Sequence, residues 1–131
     1  MLIIRVYTGA DGQTHFEDLE TDTFPNPESL ENVSGIRFRV QNPGVFSDWH
    51  QESQRNYIIT LSGEGELGIG DGTLRRIKAG EVMLVEDLTG QGHTTRVTST
   101  VPRVTVQIPL TNQTPGSVSY THLTLPTTPY V

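Results

Sequence analysis

Apolar and polar positions alternate with the period of a strand along most of the chain, and no helical period is sustained between Met1 and Leu110. Leu2 to Tyr7 reads as a strand, Ala10-Asp-Gly-Gln13 as a hairpin turn, and Thr14 to Glu20 as the partner strand. On that partner, His15, Glu17 and Leu19 share one face, with Phe16 and Asp18 on the other. Phe24-Pro-Asn-Pro-Glu28 is a loop, because two prolines remove ladder donors there. Ile36 to Val40 alternates cleanly, and Asp48-Trp-His50, Tyr57 to Leu61 and Glu66 to Ile69 follow as short strands. Leu74 to Ile77, Glu81 to Val85, Thr94 to Thr98 and Arg103 to Ile108 complete the set. Turn signals at Gly63-Glu-Gly65, Gly70-Asp-Gly72 and Lys78-Ala-Gly80 separate them. About nine or ten short strands with such punctuation predict an all-β fold, a sandwich or a barrel.

Composition narrows the function. A chain of 131 residues is a prior for a single domain with enough length to bury a core. Its net charge of −6 argues against a partner held through phosphates, so no nucleic acid is expected. Zero cysteines exclude disulfides, zinc ribbons, iron–sulfur clusters and thiol nucleophiles together. No apolar run approaches the ~20 residues of a membrane helix, and no membrane partner is expected. The alternating start lacks the apolar core and cleavage site of a signal peptide, so the chain as written reads as cytoplasmic, with secretion open if the true start lies upstream. Val118 to Val131 changes register abruptly, being rich in Thr and Pro and uncharged. It resembles a one-frame translation of a transposase mosaic-end sequencing adaptor, which implies a short-read assembly, environmental in origin, and a natural chain ending near Gly116. Residues 1–116 are therefore taken as the domain, with an N-terminal hairpin at 1–20 and a barrel core at about 36–110, and residues 117–131 as a non-native tail.

Two spacings resemble the motifs of the small single-domain cupins. The first cupin motif is G-x5-H-x-H-x(3,4)-E-x6-G. Here Gly44, five residues, His50, one residue, Glu52, three residues, Asn56, six residues and Gly63 run in the same register. Both glycines and the leading histidine match, while Glu52 replaces the second histidine and Asn56 the glutamate. The second motif is G-x5-P-x-G-x2-H-x3-N. Gly80 opens it and His93 closes it, through a connector, Glu86 to Gly92, two residues longer than the pattern and without its proline; the final asparagine is absent too. The resemblance covers roughly Ile36 to Ile108. It implies a cupin-type β-barrel, a double-stranded β-helix or jelly roll, in one domain.

The resemblance implies one divalent transition metal ion held by His50 and His93. Residues i and i+2 share a strand face, so Glu52 points with His50 and is a candidate ligand or catalytic base. Its alternative is a solvated rim carboxylate, with Gln51 or Gln54 in its place. Asn56 is a candidate weak ligand or hydrogen-bond partner of a bound water, or a turn residue before its strand. His15 would complete a set of three histidines if the N-terminal hairpin folded over the barrel mouth. Imidazole and carboxylate donors suit iron or copper first, with manganese, nickel and zinc as alternatives, and two histidines with one carboxylate is the donor set of non-heme iron oxygenases. Glu86, before His93, is a candidate general base, as is its neighbour Asp87. Trp49 and Tyr57 are candidate stacking surfaces, and Arg37 and Arg39, on one strand face, could grip a carboxylate.

The expectation is a mononuclear metal-dependent cupin enzyme, leaning to a copper- or iron-dependent oxidoreductase that uses dioxygen or peroxide on a carbohydrate or other small polar substrate. The alternatives are a non-redox isomerase, epimerase or lyase of sugars or sugar acids, and a non-catalytic ligand-binding cupin. Cupins are commonly dimers, and Leu2 to Tyr7 reads as an apolar edge suited to pairing with a second subunit, so a homodimer is expected.

Overall fold

The computed structural model describes residues 2–20 and 30–116; the proline-bearing loop at 24–28 and the tail at 117–131 lie outside the described residues. Ten strands follow in order: β1 (Leu2–Thr8), β2 (Thr14–Glu20), β3 (Arg37–Gln41), β4 (Phe46–His50), β5 (Asn56–Ser62), β6 (Glu64–Gly68), β7 (Leu74–Lys78), β8 (Val82–Glu86), β9 (His93–Val97) and β10 (Arg103–Pro109). No helix occurs among the described residues, and none is long and apolar enough to cross a membrane. The strands form a six-stranded sheet, β2-β1-β8-β5-β10-β3, facing a four-stranded sheet, β4-β9-β6-β7.

The first strand is not an edge. β1 pairs antiparallel with β2 and parallel with β8, so both of its backbone rims are already used. The edges of the large sheet are β2 and β3, and the expected pairing of Leu2 to Tyr7 with a second subunit has no free rim to use. A parallel partner more than 70 residues away leaves no local sequence signal, which is why β1 reads as an edge from sequence.

The space between the sheets is divided in two. Toward β1, β7 and β8 it is filled by Ile4, Val6, Ile58, Leu67, Ile77, Met83 and Val85, with Leu2 and Phe16 packed against them. Each such side chain, fully buried, stabilises the fold by roughly 1.5–3 kcal/mol. Toward β3, β4 and β10 the same interlayer is polar. The inner face of β10 carries Arg103, Thr105 and Gln107, and that of β3 carries Arg39 and Gln41, while Phe38 and Val40 of β3 stand outside, about two-thirds exposed. A second apolar cluster, Ile3, Leu19, Leu84 and Leu110 with Tyr57 and Val82, lies on the outer face of the large sheet.

Candidate metal centre

The two histidines meet because of an irregularity in one strand pair. β4 and β9 are antiparallel, with Phe46 opposite Arg96, Ser47 opposite Thr95 and His50 opposite His93. Three steps on β4 match two on β9, so one extra residue is accommodated between Ser47 and His50. Without that bulge Trp49 would face His93, and His50, an odd number of residues from inward-facing Ser47, would point out of the barrel. Gly92 permits the close approach of the two strand ends. Its φ is +77°, and a Cβ there would overlap the His50 carbonyl.

His50, Glu52 and His93 each offer one ligand atom, all within 4.8 Å of one another. Glu52 Oε2 lies 3.4 Å from His93 Nε2 and 3.6 Å from His50 Nε2, and the imidazole centroids are 4.6 Å apart. The opposite ring nitrogens are already engaged. His50 Nδ1 lies 2.7 Å from the Asp48 carbonyl oxygen, and His93 Nδ1 lies 2.6 Å from Asp87 Oδ2. Both rings thereby direct Nε2 inward, the arrangement by which a carboxylate or carbonyl orients a metal-binding histidine. Asp87 is fully buried, receives a second hydrogen bond from Thr14 Oγ1 at 2.9 Å, and accepts the Glu52 backbone N–H on its carbonyl at 3.1 Å. One loop residue thus positions two members of the group.

In the metal-free protein the three groups hold one another's charges. Burial works to raise the Glu52 carboxyl, but its contacts with His50 and His93 outweigh this and leave it at about 2. Burial likewise works to lower His93, and the Asp87 and Glu52 carboxylates overcome it, raising the imidazole to about 9. His50 is raised by Glu52, against burial. A cation would replace these protons, since metal ligation requires neutral imidazole. Two imidazole nitrogens and one carboxylate oxygen, with no thiolate, fit a first-row divalent ion.

The group sits in the wall of an interior cavity, together with Arg39, Ser47, Thr95, Arg103, Thr105 and Gln107. Ile58, Leu67, Met83 and Val85 supply the apolar wall shared with the core. At the mouth, Arg37, Arg39, Asp48, Gln51 and Gln107 surround His50 and Glu52. Arg37 donates to Gln107 Oε1 through Nε at 3.1 Å and Nη2 at 2.6 Å.

The remaining sequence candidates lie elsewhere. Glu86 ends β8 on its outer face, where it pairs with Arg55 Nε at 2.5 Å and with Arg5, so its expected role as a base in the cavity does not survive. Parity decides this: Met83 and Val85 face the cavity, Glu86 faces away, and Asp87 faces in again. His15 does not cover the barrel mouth; its Nε2 lies 2.9 Å from Asp11 Oδ2, in a separate cleft with Gln13, Gly70 and Asp71. Asn56 is buried, donates from Nδ2 to the Gln54 carbonyl at 2.6 Å, and does not line the cavity. Trp49 is half-exposed and Tyr57 packs in the outer apolar cluster, so neither is a stacking surface inside the barrel. Arg103 escaped sequence reading. Its signal is the polar run Arg103, Thr105, Gln107 alternating with Val104, Val106 and Ile108, which reads as a solvent face and proves to be a cavity wall.

Ten strands in two facing sheets, with a histidine–carboxylate group between them, define a single-domain, all-β barrel of cupin type. No family model matches the chain, and no curated protein matches it. Among solved structures, the polyketide cyclase RemF from Streptomyces resistomycificus is similar in fold, with a TM-score of 0.50 at 14% identity over 86% of this chain and 77% of that one. A Cupin 2 conserved barrel domain protein from Salinispora arenicola gives a TM-score of 0.45 at 23% identity, over 56% of this chain and 59% of that chain. A protein with a double-stranded β-helix domain from Klebsiella pneumoniae gives 0.47 at 19% identity, over 73% and 91%.

Proposed function

We propose that this protein is a mononuclear metal-dependent oxidoreductase acting on a small polar substrate in the barrel cavity. The observation that carries the reading is the convergence of His50, Glu52 and His93, with both Nδ1 atoms already held from behind. Two histidines and one carboxylate leave coordination positions open, which favours iron, with copper as the alternative. When bound, the ion supplies activation of dioxygen or peroxide beside the substrate.

The chain's own residues do the rest. Asp87 fixes the orientation of the His93 ring, and the Asp48 carbonyl fixes that of His50. Glu52 brings one negative charge to the ion. Ile58, Leu67, Met83 and Val85 exclude water from one side of the substrate, and Arg39, Ser47, Thr95 and Gln107 offer hydrogen bonds on the other. A non-redox isomerase or lyase needs a carboxylate free to move a proton. Glu52 is engaged between two imidazoles and Glu86 is locked by arginines on the outer face, so redox chemistry is the better fit.

Protein purified without added metal should contain one equivalent of iron or copper, and His50→Ala and His93→Ala should each abolish it. Ascorbate should reduce the bound ion, with oxygen uptake on reoxidation. Unchanged metal content in both variants removes the enzyme reading; a bound but redox-silent ion removes the oxidoreductase.

A further inference from the structure

Arg103 is the one buried cation of the cavity lining that meets no counter-charge among the described residues. It is 4% exposed, yet among the described residues it makes no ion pair. Its one hydrogen bond runs from Nη2 to Thr60 Oγ1 at 3.2 Å, and its Nε has no partner. Burying an unpaired guanidinium is unfavourable by several kcal/mol unless something else offsets it. Elsewhere the protein follows that rule: buried Arg55 sits against Glu86. Arg39, an exposed residue that lines the same cavity, adds a second positive charge facing Arg103, in a chain with net charge −6.

The position of Arg103 is built. Its side chain lies over Gly65, where a Cβ would come within 2.9 Å of Nε and 3.0 Å of Cζ, so any larger residue there would make the guanidinium shift. Gly65 pairs with Val97, four residues along β9 from His93, a separation of ~13 Å at the usual strand rise. Arg103 is likewise four residues along β10 from Gln107 at the mouth. The guanidinium therefore marks the deep end of the cavity and the histidine–carboxylate group its outer part.

We propose that the cavity takes a small organic anion, whose carboxylate pairs with Arg103 at the deep end while its other end lies toward His50, Glu52 and His93. A planar guanidinium matches the two oxygens of a carboxylate, and a phosphate would call for more donors than one guanidinium provides. Thr60 and Thr105 are the neighbouring neutral hydrogen-bonders on the inner face. The assignment deepens the metal-enzyme reading by giving its substrate class, but the anion pocket does not depend on the metal.

The test uses lactate, its neutral amide lactamide, and inorganic phosphate, titrated by calorimetry into metal-depleted and manganese-loaded protein. Lactate should bind the wild type about tenfold to a hundredfold more tightly than lactamide in both forms, the range expected for a charge-assisted pair. Arg103→Gln should bind lactate no better than lactamide, with metal content unchanged. Gly65→Ala, which keeps the charge but displaces the guanidinium, should weaken lactate in the same direction. Arg103→Met, relieved of a buried unpaired cation, should melt a few degrees higher without ligand and lose lactate binding. Equal binding of lactate and lactamide, or full binding by Arg103→Gln, overturns the proposal; phosphate binding more tightly than lactate overturns the carboxylate assignment. Wild type that holds no metal yet binds lactate through Arg103 sinks the metal reading alone. Stoichiometric metal with lactate indifferent to Arg103 sinks this one alone.

Discussion

Glu52 and Glu86 are both carboxylates drawn out of bulk water, and they differ in what meets them. Glu86, 1% exposed on the outer face of the large sheet, is enclosed by the guanidinium groups of Arg55 and Arg5 and by the Gly116 backbone N–H at 3.1 Å. Its lone pairs are spent inside the fold. Glu52, on the inner side, meets two imidazoles that can give up their protons to a metal and are themselves held from behind. A buried charge closed by permanent counter-charges is structural, whereas one closed by replaceable protons is a place where something else can bind. Arg103 extends the series to a buried charge that meets no counter-charge among the described residues.

The contrast breaks most visibly at Glu86. Glu86→Ala should destabilise the protein by about 3–5 kcal/mol, because it strands Arg55 in the interior without an anion. Urea denaturation measures this, and a loss below about 1 kcal/mol would rank the pair with surface ones. Metal content per folded molecule should not change.

Asp87→Asn should leave the fold in place and weaken metal binding about 10–100-fold, the usual effect of removing a carboxylate behind a ligating histidine. Competition against a chelator reads it out. Unchanged affinity would show that Asp87 serves only the packing of its loop.

The proton-filled state gives a pH signature in the metal-free protein. His93 stands at about 9 when folded against an ordinary 6.5, so its stabilising contribution is complete below pH 6.5 and is lost as pH rises through about 9. Glu52 stands at about 2 against 4.5, so its contribution is present above pH 4.5 and disappears as pH falls through about 2. Denaturation curves of metal-free protein should therefore show highest stability from these groups between 4.5 and 6.5. Metal affinity should climb with pH over the range in which His93 loses its proton. A flat profile from 6.5 to 9 would mean that the Asp87–His93–Glu52 contacts do not hold in solution. The smallest effect belongs to the exposed pair Arg75–Asp18, at 2.9 Å, where Asp18→Asn should alter stability by no more than about 0.5 kcal/mol.

Much of the architecture was legible before any coordinates. Period-two alternation and Asp-Gly turns are local properties, so the all-β class and nearly every strand could be read from neighbouring residues. The glycine–histidine spacings pointed to His50 and His93, and i, i+2 parity placed Glu52 beside His50. Parity also misled where strand ends were uncertain: Glu86 and Asp87 were adjacent loop carboxylates in the sequence, and one residue of register separates an outer-face ion pair from a histidine's partner.

The linear chain could specify periodicity, turn chemistry and ligand type, because these depend on residues a few positions apart. Which face of each strand becomes the interior was settled only when the sheets closed. On β3 and β10 the polar side turned inward and left Phe38 and Val40 outside, the reverse of what alternation suggests for a half-buried strand. The bulge that swings His50 opposite His93, the parallel pairing of β1 with β8, and the lodging of Arg103 over Gly65 all join residues far apart in sequence. Such contacts are selected by the packing energy of the whole barrel, which no local window of residues contains.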